Sequence, residues 1–346
     1  ITEPGAEYDA TYQSVIRIKT TRKKGGKVMK KKVLALIMAG TMALSMAACG
    51  NTQSQDTPKE PEKQETVQTE GTEAGGATDI SGITADSFKP SKDFNVRVPF
   101  AAGGSADTIA RIIGQGLQET YGKSVIVNNL TGANGAIAAA DLDSAKSDAT
   151  ELMVGGIAMF TLAPLFNKDI NLNIDDYQFV SGLVLEDLIL YVNPSNSGIE
   201  DWDGLVEYAA DNRIVFGSNA PGGATHLLAT MLFGEAGLDA EAVTSDGSGK
   251  DLLAVASGNV VCAVAPASVG AQYVEDESLV PIAVFSEENY TGYEGYDVPT
   301  VQSLGYDIVF HTCNFIMTKA DVAPEDVAAI HQAILDYSET EEFKDL

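Results

Sequence analysis

Two stretches of this chain follow one plan. In "VPFAAGGSADTIARII" (Val98–Ile113) and "VFGSNAPGGATHLLATML" (Val215–Leu232) an extended apolar run hands over to a Gly-Gly loop and then to an amphipathic helix. A helix that follows a strand so closely must fold back on the sheet, which commits the chain to an α/β architecture. The two units lie about 120 residues apart, and that spacing predicts two α/β lobes presenting similar loops to one another.

The rest of the chain from Asn95 fits this frame. Short apolar runs that read as strands are "FNVRVPF", "SVIVNN", "ELMVGG", "LILYVNP", "RIVFGS", "EAVTS", "VVCAVAP", "LVPIAVF" and "DIVFHTCNFIMT",. Between them, helices are expected over 107–120, 135–144, 202–210, 224–236, 250–257 and 324–337. Ile109, Ile112, Ile113 and Leu117 recur at helical spacing and define one packed face. Lobe 1 is expected over 93–192 plus 306–346, and lobe 2 over 193–305.

The N-terminal quarter has a different character. Met29-Lys30-Lys31-Lys32 leads into sixteen apolar or small residues, Val33–Ala48, and then Cys49-Gly50. That is short of the ~20 residues of a spanning helix, and the basic flank, apolar middle and small-residue end describe a secretory signal over 29–48. "SMAAC" resembles a lipobox, with Met46 where Leu is more usual, so Cys49 is expected to carry a lipid anchor on the outer face of the cell membrane. Cleavage without lipidation is the alternative. Residues 1–28 are expected to be upstream sequence that is not native to the protein. Residues 49–92, rich in Thr, Glu, Gln, Pro and Gly, are expected to form a disordered tether.

Charge excludes one class of partner. Nine of the 22 Lys and Arg residues and three of the 49 Asp and Glu residues precede Cys49, leaving 13 basic against 46 acidic residues, net −33. Nucleic acid is excluded, because phosphate binding needs a Lys/Arg surface. An anionic small ligand is not, because a local site can oppose the global field. The acidity itself reads as a solubilising surface.

The glycine loops carry the chemistry. A helix N-terminus leaves backbone N–H groups unpaired and its dipole favours negative charge. Glycine permits positive φ and close approach of a ligand. Gly103 and Gly104 therefore offer amides, and Ser105 or Asp107 can cap the helix. A plain turn is the alternative, weakened by the second loop, Pro221-Gly222-Gly223-Ala224-Thr225. Micromolar binding needs about −8 kcal/mol. A helix terminus gives ~0.3–1 kcal/mol, up to ~2, and a hydrogen bond to a charged group ~1.5–3. Several amides and exclusion of water are thus required, and two loops closing from opposite lobes would meet the need.

Other motifs fail. "DGSGKDLL" imitates a phosphate loop, but Thr244 stands where its first glycine belongs and Asp251 follows Lys250. "GANGAIAAAD" is not GxGxxG, no G-x-S-x-G occurs, and His226, His311 and His331 lack metal spacing. His226 reads as a structural hydrogen-bonder. Asp175-Asp176 and Glu287-Glu288 read as solvated faces. Cys262 and Cys313 read as two buried thiols, with a disulfide as the alternative. No cofactor or metal is expected.

Together "VPFAAGGSADTIAR", "GKSVIVNNLTGANGAIAAADL", "GSNAPGGATHLLATMLFGEAGL", "DLLAVASGNV" and "DVPTVQSLGYDI" resemble the extracytoplasmic substrate-binding proteins of tripartite tricarboxylate transporters, over about residues 94–335. The resemblance implies a two-lobed periplasmic-binding-protein fold, type II-like, that closes on a small carboxylate and delivers it to membrane permease subunits. It implies a monomer without catalytic activity. It assigns Phe100, Ala101, Gly103, Gly104, Ser105 and Asp107 to a ligand carboxylate held through amides and ordered water. Ser218, Asn219, Gly222, Gly223 and Thr225 are assigned to the distal part of the ligand, and Gly156 and Ala158, with Pro266 and Ala267, to the lining of the cleft.

The chain departs from the family pattern in lacking an Arg before "DVPT" and in having "FHTCNFIMT" where a Trp-Gly strand is usual. It also stops at Leu346, short of the strand and helix with which relatives continue, so a truncated C-terminus is expected. With only Arg97, Arg111 and Arg213 after Cys49, no guanidinium clamp is expected. The rival functions are a receptor of the same fold docking on a sensor kinase, and a lipid-anchored enzyme using Ser105 or Asp107, against which the missing base speaks.

Overall fold

The computed structural model describes residues 82–345. The extension 1–28, the signal 29–48, Cys49 and the tether as far as residue 81 lie outside the described residues. The last part of the expected tether, 82–92, is packed. Phe88 is buried and meets the rings of Phe94 and Tyr121 edge-on at 6.5 and 5.7 Å, and Ala85 joins the same core. Ile83 packs against this core as well, and Lys92 pairs with Glu151 at 2.6 Å, so a few apolar contacts and one ion pair seat the stretch on lobe 1.

Nine strands are described: β1 (Phe94–Val98), β2 (Val125–Asn129), β3 (Glu151–Gly156), β4 (Tyr177–Val192), β5 (Ile214–Asn219), β6 (Ala240–Ser245), β7 (Cys262–Pro266), β8 (Val280–Val284) and β9 (His311–Lys319). The main helices are α1 (Ser105–Tyr121), α2 (Ala136–Ser144), α3 (Trp202–Asp211), α4 (Ala224–Ala236), α5 (Ser248–Ala256), α6 (Ala267–Glu275) and α7 (Pro324–Ser338). Helix α6 was not expected; its "ASVGAQYVE" has too few large apolar residues to show a helical stripe.

The strands run in the order β2-β1-β3-β9-β4-β7-β5-β6, with β8 on the other edge of β4. The pairing is parallel for β1 with β2 and β3, and for β5 with β6 and β7. Strand β4 joins the lobes. Its first part, Tyr177–Asp187, pairs antiparallel with β9, and its second, Leu188–Val192, pairs with β7 and β8. Residues 188–192, expected in lobe 1, thus belong to the lobe 2 sheet. The first part of β4 was not expected as strand. Register shifts at Phe179/Ser181 and Gly182/Val184 interrupt the two-residue alternation by which a strand is recognised.

The return crossing is at β9, which starts at His311 and excludes the expected "DIVF". Ile308 and Phe310 pack into the lobe 2 core instead, and the Phe310 N–H donates to Phe285 O at 2.7 Å. At the crossing His311 Nδ1 lies 3.1 Å from Asp187 Oδ1.

Each lobe has its own core. In lobe 1, β1 buries Phe94, Val96 and Val98 against Ala106, Ala110, Ile113 and Leu117 of α1 and Ile330 of α7. The buried stripe of α1 is rotated from the expected one, leaving Ile109 and Ile112 half-buried. In lobe 2 helices cover both faces of the sheet. Leu188, Leu190 and Val192 pack to one side and Ile189 and Tyr191 to the other, which explains the continuous apolar run "LILYV". Full burial of each such side chain stabilises the fold by about 1.5–3 kcal/mol. Cys262 is buried and Cys313 half-buried, and both are free thiols.

Candidate functional site

Three helix N-termini meet where the lobes face each other. The first two have one backbone geometry. Gly103 and Gly222 have φ of 83° and 80°, and Gly104 and Gly223 are extended N-caps with φ −93°, ψ 168° and φ −71°, ψ 164°. The positive φ turns the chain so that the following amides point out along the helix axis, a conformation that glycine adopts without a Cβ penalty. In each loop the first glycine N–H is taken by a side chain four residues on, Asp107 Oδ2 at 3.0 Å and His226 Nδ1 at 3.4 Å. Among the described residues no acceptor meets the N–H groups of Gly104, Ser105 and Ala106 or of Ala224 and Thr225.

The third N-terminus was missed. It belongs to α5, whose loop Asp246-Gly247 follows β6, and it lies in the "DGSGKDLL" segment that fails as a phosphate loop. The signal was present: a strand, a small-residue loop and a helix, the same plan as the other two. The stretch also imitates a nucleotide-binding loop, a likeness that masks this plan.

The loops are shut on one another. The Ala101 N–H donates to Asp246 O at 3.1 Å and Asn134 Nδ2 donates to Pro221 O at 2.7 Å, both across the lobes. A Cβ on Gly249 would come within 3.2 Å of Gly103 O. A cavity of about 80 Å³ remains between the three termini, several times what one water needs.

Nine expected residues line this cavity: Phe100, Gly104 and Ser105 from the first loop, Gly156 and Ala158 after β3, Asn219, Gly223 and Thr225 from the second loop, and Pro266. Six do not. Ala101 spends its amide on Asp246 O across the lobes, and Gly103 and Gly222 spend theirs within their own loops, on Asp107 and His226. Asp107 is buried beneath the first loop, Ser218 is buried in β5 with no partner for its hydroxyl among the described residues, and Ala267 is buried in α6. Sequence reasoning missed Asn134, Met159, Gly247 and Ser248, and the strand residues Leu188, Thr312 and Asn314 with the adjoining Phe310. The last four come from the two crossings, whose position depends on pairing across more than a hundred residues.

Among the described residues, no Lys or Arg lines the cavity. Arg97 is held by Asp141 at 2.5 Å and Glu151 at 2.9 Å, Arg111 by Asp107 at 2.8 Å, and Arg213 by Glu241 at 2.6 Å. The donors facing the cavity are therefore neutral. Asn219 Oδ1 accepts from Thr225 Oγ1 at 2.6 Å, which leaves the Asn219 Nδ2 hydrogens for the cavity. Among the described residues no group of three His, Cys, Asp or Glu could hold a metal ion, and no helix is long and apolar enough to cross a membrane.

Three titrating groups sit in the supporting structure. Burial pushes the Asp107 carboxyl up, but hydrogen bonds from Arg111, the Gly103 amide and Asn129, with the Arg111 charge, bring it below the usual carboxylate range. Burial lowers His226 and favours the neutral ring that accepts from Gly222. Burial raises Asp251, in the first turn of α5, to about 7 against the Ser245 hydroxyl.

A two-lobed sheet crossed by two strands, with amide-rich loops shut over a small cavity, defines a solute receptor. The sequence model of the tripartite tricarboxylate transporter family receptors matches residues 109–345, and the chain belongs to that family. Protein BugT of Bordetella pertussis is 27% identical over 65% of this chain and 69% of its own. The fold matches that of Rpa4515 from R. palustris, solved with adipate, at TM-score 0.68, 21% identity, 73% of this chain and 85% of that one. It also matches MatC from Rhodopseudomonas palustris, solved with bound malate, at TM-score 0.67, 21% identity, 74% of this chain and 87% of that one. The fold is that of the periplasmic solute-binding proteins.

Proposed function

We propose that this chain is an extracytoplasmic receptor, anchored by lipid at Cys49, that captures a small carboxylate and passes it to the permease of a tripartite tricarboxylate transporter. The observation that carries this reading is the meeting of three helix N-termini on a cavity where, among the described residues, amides of the first two termini are unpaired and no cationic side chain enters. Such a site favours a small anion that can take several short hydrogen bonds, and its electrostatic attraction is local and directional. Ligand carboxylates in two proteins of this fold, adipate and malate, agree with it.

In this reading the first loop receives one carboxylate on the amides of Gly104, Ser105 and Ala106. The second loop and α5 receive the remainder through Asn219, Thr225 and Ser248. The ligand bridges the lobes, so occupancy favours the shut form, and the permease reads that form. The chemistry is capture, and the ligand leaves unchanged.

The test is a thermal-shift screen of the purified protein over mono-, di- and tricarboxylates, followed by calorimetry. A ligand at a hundred times its Kd stabilises the fold by about 2.7 kcal/mol and raises Tm by several degrees. No shift with any carboxylate, against a shift with neutral sugars or cations, overturns the reading.

A further inference from the structure

An acidic residue lies beside this anion site. Glu186, on β4 one residue before its change of partners, is buried. Its Oε2 accepts from the Ser105 hydroxyl and from Asn314 Nδ2 at 3.4 Å, and its Oε1 accepts from the Ser268 hydroxyl in the first turn of α6. Ser105 and Asn314 line the cavity, while Glu186 and Ser268 lie behind them in the groove between α1 and α6. One carboxylate therefore ties the first loop, the β9 crossing and lobe 2 together.

The consequence for the cavity follows from counting hydrogens. A serine hydroxyl has one hydrogen and two lone pairs. The hydrogen of Ser105 is directed to Glu186, and one lone pair takes Asn314 Nδ2 at 3.3 Å. What Ser105 Oγ has left for a ligand is an acceptor. Asn314 spends its Nδ2 on Ser105 and Glu186, leaving its Oδ1, which lies 3.9 Å from the position of a Cβ on Gly156, another lining residue. Next to the amide donors of α1 there is thus a patch that only accepts.

We infer that Glu186 sets the ligand class, by turning Ser105 and Asn314 into acceptors, to carboxylates that carry a hydroxyl or ammonium group next to the carboxylate. This inference rests on the carboxylate reading above. The carboxylate of a 2-hydroxy or 2-amino acid takes the α1 amides while its neighbouring O–H or N–H donates to Ser105 Oγ. An unsubstituted acid leaves the remaining lone pair of Ser105 Oγ without a donor, which disfavours binding. Glu186 does not touch the ligand and acts through Ser105 as a positioning residue.

Calorimetry on matched triads tests the inference: succinate, malate and aspartate, then glutarate, 2-hydroxyglutarate and glutamate, then adipate, 2-hydroxyadipate and 2-aminoadipate. Within the triad that binds, the hydroxy or amino acid should bind about tenfold or more tightly than the unsubstituted acid. Glu186→Gln can donate to Ser105 and release its hydrogen toward the cavity, so the preference should fall to within about threefold. Ser105→Ala should reduce it similarly while leaving Glu186 its Ser268 and Asn314 partners, and serves if the first variant fails to fold. Equal or tighter binding of the unsubstituted acid in every binding triad overturns the inference while the carboxylate reading stands. A preference unchanged in a folded variant also overturns it. If no carboxylate in the wider screen binds, the carboxylate reading fails and the inference falls with it.

Discussion

The first and second glycine loops are nearly superposable in backbone logic but differ in what holds them. Each has a glycine of positive φ, an extended glycine N-cap and a side chain four residues on that accepts the first glycine N–H. In the first loop that acceptor is Asp107, itself held by Arg111 and by Asn129 Nδ2 at 3.0 Å. In the second it is the neutral ring of His226 at 3.4 Å, pushed toward neutrality by burial alone. The amide of the first glycine is thus pinned by a charged network in one lobe and by one longer neutral bond in the other, while Thr225 and Asn219 close the second loop on itself. The first glycine is therefore anchored more strongly in the first loop than in the second.

The largest effect expected from this contrast is on binding. A Cβ on Gly104 would have only Ala101 O within 4 Å, at 3.7 Å, and the φ of −93° suits any residue. Gly104→Leu should fold with Tm little changed and lose more than about a hundredfold in affinity, since its side chain takes the ligand's place. A Cβ on Gly223 would meet Asn219 Oδ1 at 2.5 Å. Gly223→Ala should therefore shift the second loop itself, with a fall in Tm as well as in affinity. Equal thermal behaviour of the two variants would break the comparison.

Next comes the anchoring. Asp107→Ala strips the Gly103 amide, Arg111 and Asn129 of a shared partner and should cost about 2–4 kcal/mol in urea unfolding. His226→Ala removes one long bond and should cost about 1 kcal/mol. A reversed order would show that the charged network is not what anchors the first loop.

Acid should separate the loops. His226 has a lowered pKa in the fold, so the unfolded chain binds the proton more readily, and its contribution is present above the unfolded value of ~6.5 and lost as pH falls through the folded one. Asp107 is also lowered, but its contribution persists until pH falls below ~3.9. Between these limits amide exchange protection should fall at Gly222 and hold at Gly103.

A further pH effect lies in the first turn of the third helix. Asp251 is raised to about 7, so the fold holds a proton that the unfolded chain releases near ~3.9, and stability falls as pH rises between the two. Asp251→Asn should remove that slope and raise Tm by a few degrees at pH 8, with no gain at pH 4. A variant that melts lower at pH 8 would show that the carboxylate has an unrecognised partner.

The loops were legible in the sequence because their chemistry is local. A strand, two glycines and a helix fix the turn, the cap and the direction of the amides within about ten residues, and nine expected lining residues gather accordingly. Glu186 was not legible. In "LVLEDLIL" it is one acid in a run broken by a register shift, and nothing in its neighbours says that Ser105 and Ser268, each about 80 residues away in sequence, will meet it. The α5 terminus lay between these cases, visible as a local plan but masked by its likeness to a nucleotide-binding loop.

What the chain alone determined is where helices begin with exposed amides, since backbone donors at a terminus follow from nearest neighbours in sequence. Which of those termini face one another, and which side chains turn the hydroxyl between them into an acceptor, depended on the two crossings of β4 and β9. Strand pairing joins residues distant in the chain through side-chain packing of whole sheets, so only the tertiary structure could decide it.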